Sequence, residues 1–193
     1  MKLILASASP RRAELLRAAG VDFDVIPADV DETIDVEETP DGYARRVALA
    51  KAQTILARAE GHPVLGADTV VVVDSEILGK PVDDSDATRM LRMLSGREHV
   101  VLTAVCLAHQ PAGESKRIQT RLERTTVEFA PLSDAEIDWY LATGEPRDKA
   151  GAYAIQGLAS RFVTRIDGSY SNVVGLPVAA VYQLCAQAGL LIS

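Results

Sequence analysis

The sequence predicts an α/β protein: a mixed twisted sheet flanked by helices, in one domain that spans residues 1–193. Helix-like segments alternate with apolar, β-branched segments along the chain, which is the pattern of an α/β fold. Two long strand-like segments, 99–109 and 116–129, are joined by a turn and indicate a hairpin, so the sheet is not purely parallel. A length of 193 residues fits one domain of ~100–200 residues.

Turn and cap residues divide the first half of the chain. Ser9 followed by Pro10 predicts the N-cap and the first position of a helix. The apolar run 64–74 is nearly continuous, which is typical of a strand buried on both faces. We therefore predict strands over 2–6, 23–27 and 64–74, helices over 11–19 and 39–60, and an acidic loop over 28–38.

Similar signals divide the second half. Ser85 is expected to cap a helix that runs through Leu94, and Ser133 with Glu136 forms a capping box that starts another helix. The remaining predictions are a short strand after the turn at 74–76, the hairpin, a helix that ends near 143, a glycine-rich loop over 148–157, a strand over 162–166, a loop over 168–177 and a last helix over 178–188.

The composition excludes several classes of partner. The formal net charge is −7, so the overall field opposes binding to nucleic acid. No apolar run approaches the ~18 residues that span a bilayer, which argues against a membrane location. Cys106 and Cys185 lie in apolar surroundings without CxxC spacing and are expected to be buried free thiols, as in a reducing cytoplasm. We expect a soluble cytoplasmic protein that holds any anionic ligand through a few placed cations or a metal.

Asp68 is the residue that most favours chemistry. It stands in the apolar segment Gly66-Ala-Asp-Thr-Val, where an unpaired carboxylate is expensive to bury. It must therefore be paired, protonated, metal-bound or exposed at a cleft across the strand ends, and a purely structural pairing stays open. Gly66 and Ala67 leave room for a ligand to approach. One or two carboxylates of the acidic loop could join Asp68 in binding Mg²⁺.

Six side chains could bind phosphate. The two serines and two arginines of SASPRR stand where a strand passes into a helix N-terminus, a position that favours anions, although a capped helix with solvated arginines explains them equally well. One lysine lies on the long helix and another between glycine and proline, and together with the arginines they supply the charge for a triphosphate. The six are Ser7, Ser9, Arg11, Arg12, Lys51 and Lys80.

Gln156 is the candidate for base recognition. Its amide offers one acceptor and two donors, so it could accept from N3–H and donate to O4 of uracil or thymine. Satisfying the backbone of its own loop is the alternative. The three histidines show no ligand spacing and receive no role, and Trp139 and Tyr140 are interpreted as packing residues.

These signals occur together in one order and strongly resemble the Maf family. The motifs are SASPRR near the start, VDE at 30–32, ALAKA at 48–52, GADTVV at 66–71, GKP at 79–81, LSGR at 94–97 and DKAGAYAIQG at 148–157, and the resemblance covers essentially the whole chain. It implies a Maf/ITPase-like fold with two lobes around a deep cleft, a homodimer, and hydrolysis of a nucleoside triphosphate to the monophosphate and pyrophosphate.

The resemblance also implies residue roles. Asp68 would be the proton acceptor, and with Glu32 it would serve a divalent metal, Mg²⁺ or Mn²⁺. Nearby cations should lower the pKa of Asp68 and burial should raise it, so the net direction is open. The implied phosphate ligands are Ser9, Arg11, Arg12, Lys51 and Lys80, and the residues implied to bear on substrate choice are Arg11, Thr69 and Gln156.

Two loops bear on the substrate. AYAIQG and the later GSYSNVVGLP, 168–177, resemble the branch that acts on dTTP and UTP, and differ from the branch that acts on 7-methylguanosine triphosphate. Modified pyrimidine triphosphates remain an alternative. The family is also associated with arrest of septum formation. Three roles therefore stay open: house-cleaning, control of cell division, and nucleotide sensing by a regulator without turnover.

Overall fold

The computed structural model describes residues 2–35, 37–111 and 113–190. Seven strands and six α-helices lie in these ranges, with three short 3₁₀ turns at Glu145–Asp148, Ala150–Ala152 and Leu158–Phe162. In chain order the elements are β1 (Leu3–Leu5), α1 (Pro10–Ala18), β2 (Phe23–Val25), α2 (Pro40–Leu56), β3 (Val64–Val73), β4 (Glu76–Leu78), α3 (Asp84–Leu94), β5 (Glu98–His109), β6 (Arg117–Phe129), α4 (Asp134–Ala142), β7 (Val163–Asp167), α5 (Tyr170–Val174) and α6 (Val178–Gln187).

The strands form one mixed sheet in the order β2-β1-β3-β5-β6-β7, with β4 paired to β3. Strand β1 is parallel to both β2 and β3, whereas β4 is antiparallel to β3 and β7 is antiparallel to β6. The predicted mixed sheet, and the hairpin that places β5 beside β6, are therefore confirmed.

The described part of the chain divides into two compact units. The first comprises 2–68, 103–123 and 175–190, and the second comprises 69–102 and 124–174. The assignment of the whole chain to one domain stays a prediction.

The core of the first unit joins β1, α1, β3, β5 and α6. Leu3, Leu5, Leu16, Leu65 and Leu184 lose almost all of their exposure in this cluster. Each fully buried leucine stabilises the fold by roughly 1.5–3 kcal/mol relative to an exposed one. Cys185 belongs to the same cluster, and Cys106 is likewise a buried free thiol, as predicted.

The core of the second unit is aromatic. Phe129 contacts His99 and Tyr153 in edge-to-face geometry, with ring centroids 5.1 and 4.8 Å apart. Phe162 packs against Phe129 and, edge to face, against Tyr140. Tyr140 is completely buried, in agreement with its interpretation as a packing residue, whereas Trp139 is 40% exposed and carries the Arg161 guanidinium over its ring.

Most helix caps follow the sequence. Ser9 caps α1 with Pro10 at the first helical position, Thr39 caps α2, and the capping box of Ser133 and Glu136 begins α4. The prediction that Ser85 caps α3 was wrong. Asp83 is the cap, because its carboxylate accepts a hydrogen bond from the Asp86 amide at 2.8 Å.

Two other boundaries differ from the predictions. Helix α2 ends at Leu56, four residues before the expected Glu60, because the chain then forms i→i+3 turns and both Glu60 and Gly61 adopt positive φ. The segment 168–177 is not wholly a loop, since it contains the short helix α5. None of the helices in the described ranges is long and apolar enough to cross a membrane.

Candidate active site

Asp68 lies inside β3, on the part of that strand that continues beyond β1. Pairing between the two strands ends where Leu5 faces Leu65, and β3 runs on through Gly66 and Ala67 to Asp68. The Asp68 side chain is only 9% exposed. The sequence argument that this carboxylate needs a partner therefore applies in full.

Lys51 is that partner. Its ammonium donates to Oδ1 of Asp68 at 2.9 Å and lies 2.7 Å from Oε1 of Glu32, so one buried lysine holds two carboxylates. Lys51 projects from α2 and is itself 9% exposed, whereas the Glu32 side chain is 45% exposed. The structure thus brings together three of the residues implied by the resemblance. Asp68 and Lys51 are buried, and Lys51 bridges Asp68 to Glu32, which is open to solvent.

Burial raises the pKa of the Asp68 carboxyl above its usual value. The positive charges of Lys51 and Arg12 act in the opposite direction, and the charge of Glu32 adds to the rise. The net direction of the Asp68 pKa shift, which the sequence left open, is therefore upward, because the effect of burial is the largest. A carboxylate of raised pKa is a better proton acceptor than an ordinary aspartate.

The approach of α2 to β3 depends on Gly66. A Cβ at this position would lie 2.2 Å from the Ala48 carbonyl oxygen and 2.7 Å from the Ala52 amide nitrogen, both in the backbone of α2. The interpretation that Gly66 leaves room for a ligand was therefore wrong, because the helix fills that space. The same contact brings Lys51, on α2 between the two alanines, to Asp68.

Glu32 is held through its own backbone. The Tyr43 hydroxyl donates to the Glu32 carbonyl at 2.9 Å, and burial together with the charges of Asp68 and Glu32 raises the pKa of this phenol to about 12, so it keeps its proton. Arg46 donates to the Thr33 carbonyl at 2.8 Å and makes a bidentate pair with Glu38. Sequence reasoning missed Tyr43 and Arg46, because neither belongs to a motif, and included Glu38 only as a member of the acidic loop.

Arg12 joins three segments of the first unit. Its Nε donates to the Gly175 carbonyl at 2.8 Å, and its Nη1 donates to Ser7 Oγ at 3.0 Å and to the Ala67 carbonyl at 2.9 Å. The Arg12 side chain is buried, and burial lowers its pKa while the charge of Asp68 raises it. A guanidinium stays charged under such a shift, so Arg12 fixes a positive charge beside the peptide that precedes Asp68.

The remaining residues of SASPRR surround the start of α1. The Ser7 hydroxyl accepts from the Ser9 amide at 3.2 Å, and Ser9 Oγ accepts from the Arg12 amide at 3.5 Å. Arg11, at the second helical position, is partly exposed. The two serines are therefore engaged in shaping the turn, and Ser7 is buried.

Three of the predicted residues belong to the second unit. Thr69 is half-buried on β3, and both Lys80 and Gln156 are exposed. Gly151 donates its amide hydrogen to the Gly79 carbonyl at 3.0 Å, which ties the glycine-rich loop to the Gly-Lys-Pro segment. The roles of these three residues stay predictions.

The carboxylates can be tested against the needs of a divalent metal. No three His, Cys, Asp or Glu side chains in the described ranges gather into a ready metal site. Mg²⁺, however, commonly takes only one or two protein carboxylates, with substrate phosphates and water as its other ligands. Asp68 and Glu32 converge on one ammonium and so fit that donor set.

The fold and the site together define an α/β protein whose charged site lies beyond the end of a parallel strand, where such folds usually bind their ligands. A family model described as Maf-like protein matches residues 2–188. The chain belongs to the Maf family, as the sequence motifs indicated.

Named relatives match nearly the whole chain. The dTTP/UTP pyrophosphatase of Koribacter versatilis is 53% identical over 191 residues, which are 99% of this chain and 96% of that protein. The dTTP/UTP pyrophosphatase of Shewanella oneidensis is 51% identical over 199 residues, which cover 99% of this chain and all of that protein. Among solved structures, a HAM1 protein from Coxiella burnetii covers 98% of each chain at 18% identity and a TM-score of 0.49.

Proposed function

We propose that the protein hydrolyses dTTP and UTP to the nucleoside monophosphate and pyrophosphate. The observation that carries the proposal is the buried pair of Asp68 and Lys51, with Glu32 on the same ammonium. The relatives reported above, at about half identity over the full chain, are named for this activity. Modified pyrimidine triphosphates are included as candidate substrates.

Asp68 is the proposed proton acceptor. Water attacks the α-phosphorus, its proton passes to the Asp68 carboxylate, and the bond from the α-phosphorus to the bridging oxygen breaks, so pyrophosphate leaves. The raised pKa of Asp68 supports this role, because a general base works best when its pKa approaches the working pH. The side chain is buried, which limits competition from bulk water.

Cationic and hydroxyl side chains would hold the phosphates. Fixed positive charge and hydroxyl groups stabilise the charge that develops on the phosphate oxygens during transfer. Arg12 contributes by its charge and by holding the Ala67 carbonyl, next to Asp68, in place. The proposed phosphate ligands are Ser7, Ser9, Arg11, Arg12, Lys51 and Lys80.

A divalent cation, Mg²⁺ or Mn²⁺, is the proposed cofactor. Glu32 and Asp68 would hold it, since they supply the oxygen ligands that such ions prefer. When bound, it would polarise the phosphate and lower the pKa of a water molecule. Lys51 would then turn from the two carboxylates toward the phosphates, which a long flexible side chain allows.

Base selection is assigned to Arg11, Thr69 and Gln156. Gln156 is exposed, so its amide is open to a ligand. An amide that accepts from N3–H and donates to O4 discriminates uracil and thymine from cytosine, because cytosine reverses that pattern.

A substrate panel tests the proposal. Pyrophosphate release from dTTP, UTP, 5-methyl-UTP, CTP and 7-methyl-GTP should be fastest with the uracil and thymine nucleotides, and should require Mg²⁺ or Mn²⁺. Asp68→Asn should abolish turnover, whereas Asp138→Asn, on the exposed side of α4, should not. A protein that binds these nucleotides and never turns them over would instead be a nucleotide-sensing regulator of septum formation.

We also propose a cytoplasmic homodimer that serves house-cleaning or cell-division arrest. The two buried free thiols support a reducing compartment. The partner of the protein is then its nucleotide substrate, with neither nucleic acid nor membrane involved, in keeping with the net charge of −7. Light scattering in solution should give twice the mass of one chain.

A further inference from the structure

The glycine-rich loop of the second unit rests on a buried hydroxyl. Tyr140, on α4, donates from its hydroxyl to Oε1 of Glu145 at 2.8 Å and accepts from the Ala154 amide at 3.2 Å. Burial, assisted by the bond to Glu145, raises the pKa of the Tyr140 phenol, so the hydroxyl keeps the proton that it donates. One side of the loop is therefore fixed at Ala154.

The Glu145 carboxylate fixes the other side of the same loop. Oε2 accepts from the Leu158 amide at 3.0 Å, and Oε1 accepts from the Ala159 amide at 3.3 Å. With the Tyr140 hydroxyl, three donors converge on this single carboxylate. Hydrogen bonds to a charged acceptor are stronger than those between neutral groups, so the carboxylate holds the backbone at Leu158 and Ala159 strongly.

Gly157 permits this arrangement. A Cβ at residue 157 would lie 2.2 Å from Oε2 and 2.5 Å from Cδ of Glu145, closer than any stable contact. The absence of a side chain at 157 thus lets the carboxylate reach the loop backbone. The requirement is one of space, since Gly157 has φ −105°, which other residues adopt freely.

The two anchors leave a short tip between them. Only Ile155, Gln156 and Gly157 separate Ala154 from Leu158, and Ile155 is buried, with 7% of its surface exposed. Gln156 alone of the three presents an exposed side chain. The anchors on either side therefore hold the backbone from which the Gln156 side chain extends.

We propose that Tyr140 and Glu145 are positioning residues that orient Gln156 and thereby set the discrimination among pyrimidine bases. The inference rests on the proposed function, in which Gln156 reads the base. Two amide hydrogen bonds to one base edge weaken steeply when their angles change, so small shifts of the loop tip reduce discrimination. Neither residue touches the nucleotide in this scheme.

The test compares two nucleotides in one preparation. Tyr140→Phe removes one oxygen atom, and Glu145→Gln keeps the shape of the side chain. In each variant the ratio of kcat/KM for UTP to kcat/KM for CTP should fall roughly tenfold, the value expected for the loss of one well-made hydrogen bond. The fall should come from a higher KM for UTP with kcat little changed, because base contacts contribute uniform binding.

The ratio separates positioning from stability. A variant that is merely less stable loses active enzyme for both nucleotides alike, so its ratio stays that of the wild type. Tyr182→Phe, an exposed tyrosine on α6, is the matched control and should leave the ratio unchanged. Should one of the two variants fail to fold, the other decides, since each changes a different partner of the Tyr140–Glu145 hydrogen bond.

Repeating the test in the Gln156→Ala variant shows whether Tyr140 acts on the ratio through Gln156. In Gln156→Ala the ratio is already low, and adding Tyr140→Phe should change it no further, because both act through one amide. An unchanged ratio in Tyr140→Phe and Glu145→Gln, while Gln156→Ala lowers it, would overturn the inference alone. If the wild-type protein showed no turnover, or if Gln156→Ala left the UTP-to-CTP ratio unchanged, the proposed role of Gln156 in base recognition would be contradicted as well.

Discussion

The ammonium of Lys51 donates to the Asp68 carboxylate at 2.9 Å, and both side chains are more than nine-tenths buried. Removing one member of a buried ion pair leaves the other charge without compensation. Lys51→Met should therefore destabilise the protein by about 3 kcal/mol and nearly abolish turnover. Denaturant unfolding and pyrophosphate release measure the two effects.

The control for this prediction is Lys116→Met at an exposed lysine. A double variant, Lys51→Met with Asp68→Leu, should recover part of the lost stability, since it removes both charges. If Lys51→Met were no less stable than the Lys116 control, the buried pair would contribute nothing to the fold.

Gly66→Ala should move α2 away from β3. The added methyl group would meet the backbone of Ala48 and Ala52, neither of which can turn aside as a side chain does. We expect a destabilisation of about 2 kcal/mol and a drop in kcat, because Lys51 then loses its distance to Asp68. Gly79→Ala is the matched control, since a Cβ there meets nothing within 4 Å, and equal melting temperatures for the two variants would contradict the prediction.

Arg46→Lys should loosen the acidic loop around Glu32. A lysine cannot reproduce the bidentate pair with Glu38 together with the bond to the Thr33 carbonyl. Amide hydrogen exchange over 31–35 should accelerate, and the Mg²⁺ concentration for half-maximal activity should rise. Global stability should change little, because the pair is partly exposed and screened by solvent.

The neighbouring Arg45 provides the control for the loop. It is exposed on the same helix, so Arg45→Lys should leave both the exchange rates and the Mg²⁺ requirement as in the wild type. Identical exchange in Arg46→Lys and Arg45→Lys would show that the Glu38 pair does not hold the loop.

The buried ring of His99 should lower the free energy of unfolding as the solution becomes acidic. Burial lowers its pKa from 6.5 to about 4, its Nε2 pairs with the Tyr153 hydroxyl at 2.8 Å, and its Nδ1 finds no hydrogen-bond partner among the described residues. The unfolded chain therefore takes up a proton before the folded one does. Stability is fully present above pH 6.5 and is lost as the pH falls toward 4, by about 3 kcal/mol in total.

His99→Gln tests the histidine by removing the titrating ring. The variant should be less stable at pH 7 and should show a flatter dependence of unfolding free energy on pH between 6.5 and 4. His62→Gln, at an exposed histidine, should keep the slope of the wild type. A slope unchanged by His99→Gln would assign the acid sensitivity to other groups.

Local patterns account for what the sequence could predict. The cap at Ser9 and Pro10, the capping box at Ser133 and the buried strand around Asp68 depend on neighbouring residues only, and all three were predicted. The rival cap at Asp83 lies two residues from the predicted Ser85, and choosing between nearby caps depends on geometry that periodicity does not contain.

Contacts between distant segments account for what the sequence could not predict. Lys51 reaches Asp68 only because α2 packs on Gly66, and from sequence that glycine was interpreted as room for a ligand. Glu145 gave no signal, because its partners at 140, 158 and 159 are 5, 13 and 14 residues away. The residues and the resemblance together predicted Asp68, Lys51 and Glu32 as site residues, and the structure shows the contacts that hold these three together.

The three acceptors of Arg12 have a consequence for the order of folding. Ser7 is synthesised shortly before Arg12, whereas Ala67 follows 55 residues after it and Gly175 follows 163 residues after it. A nascent chain can form the first two bonds early, but the bond to the Gly175 carbonyl cannot form until residue 175 has left the ribosome. We therefore expect the first unit to mature only after Gly175 has been synthesised, and chains truncated before Gly175 to be more sensitive to proteases.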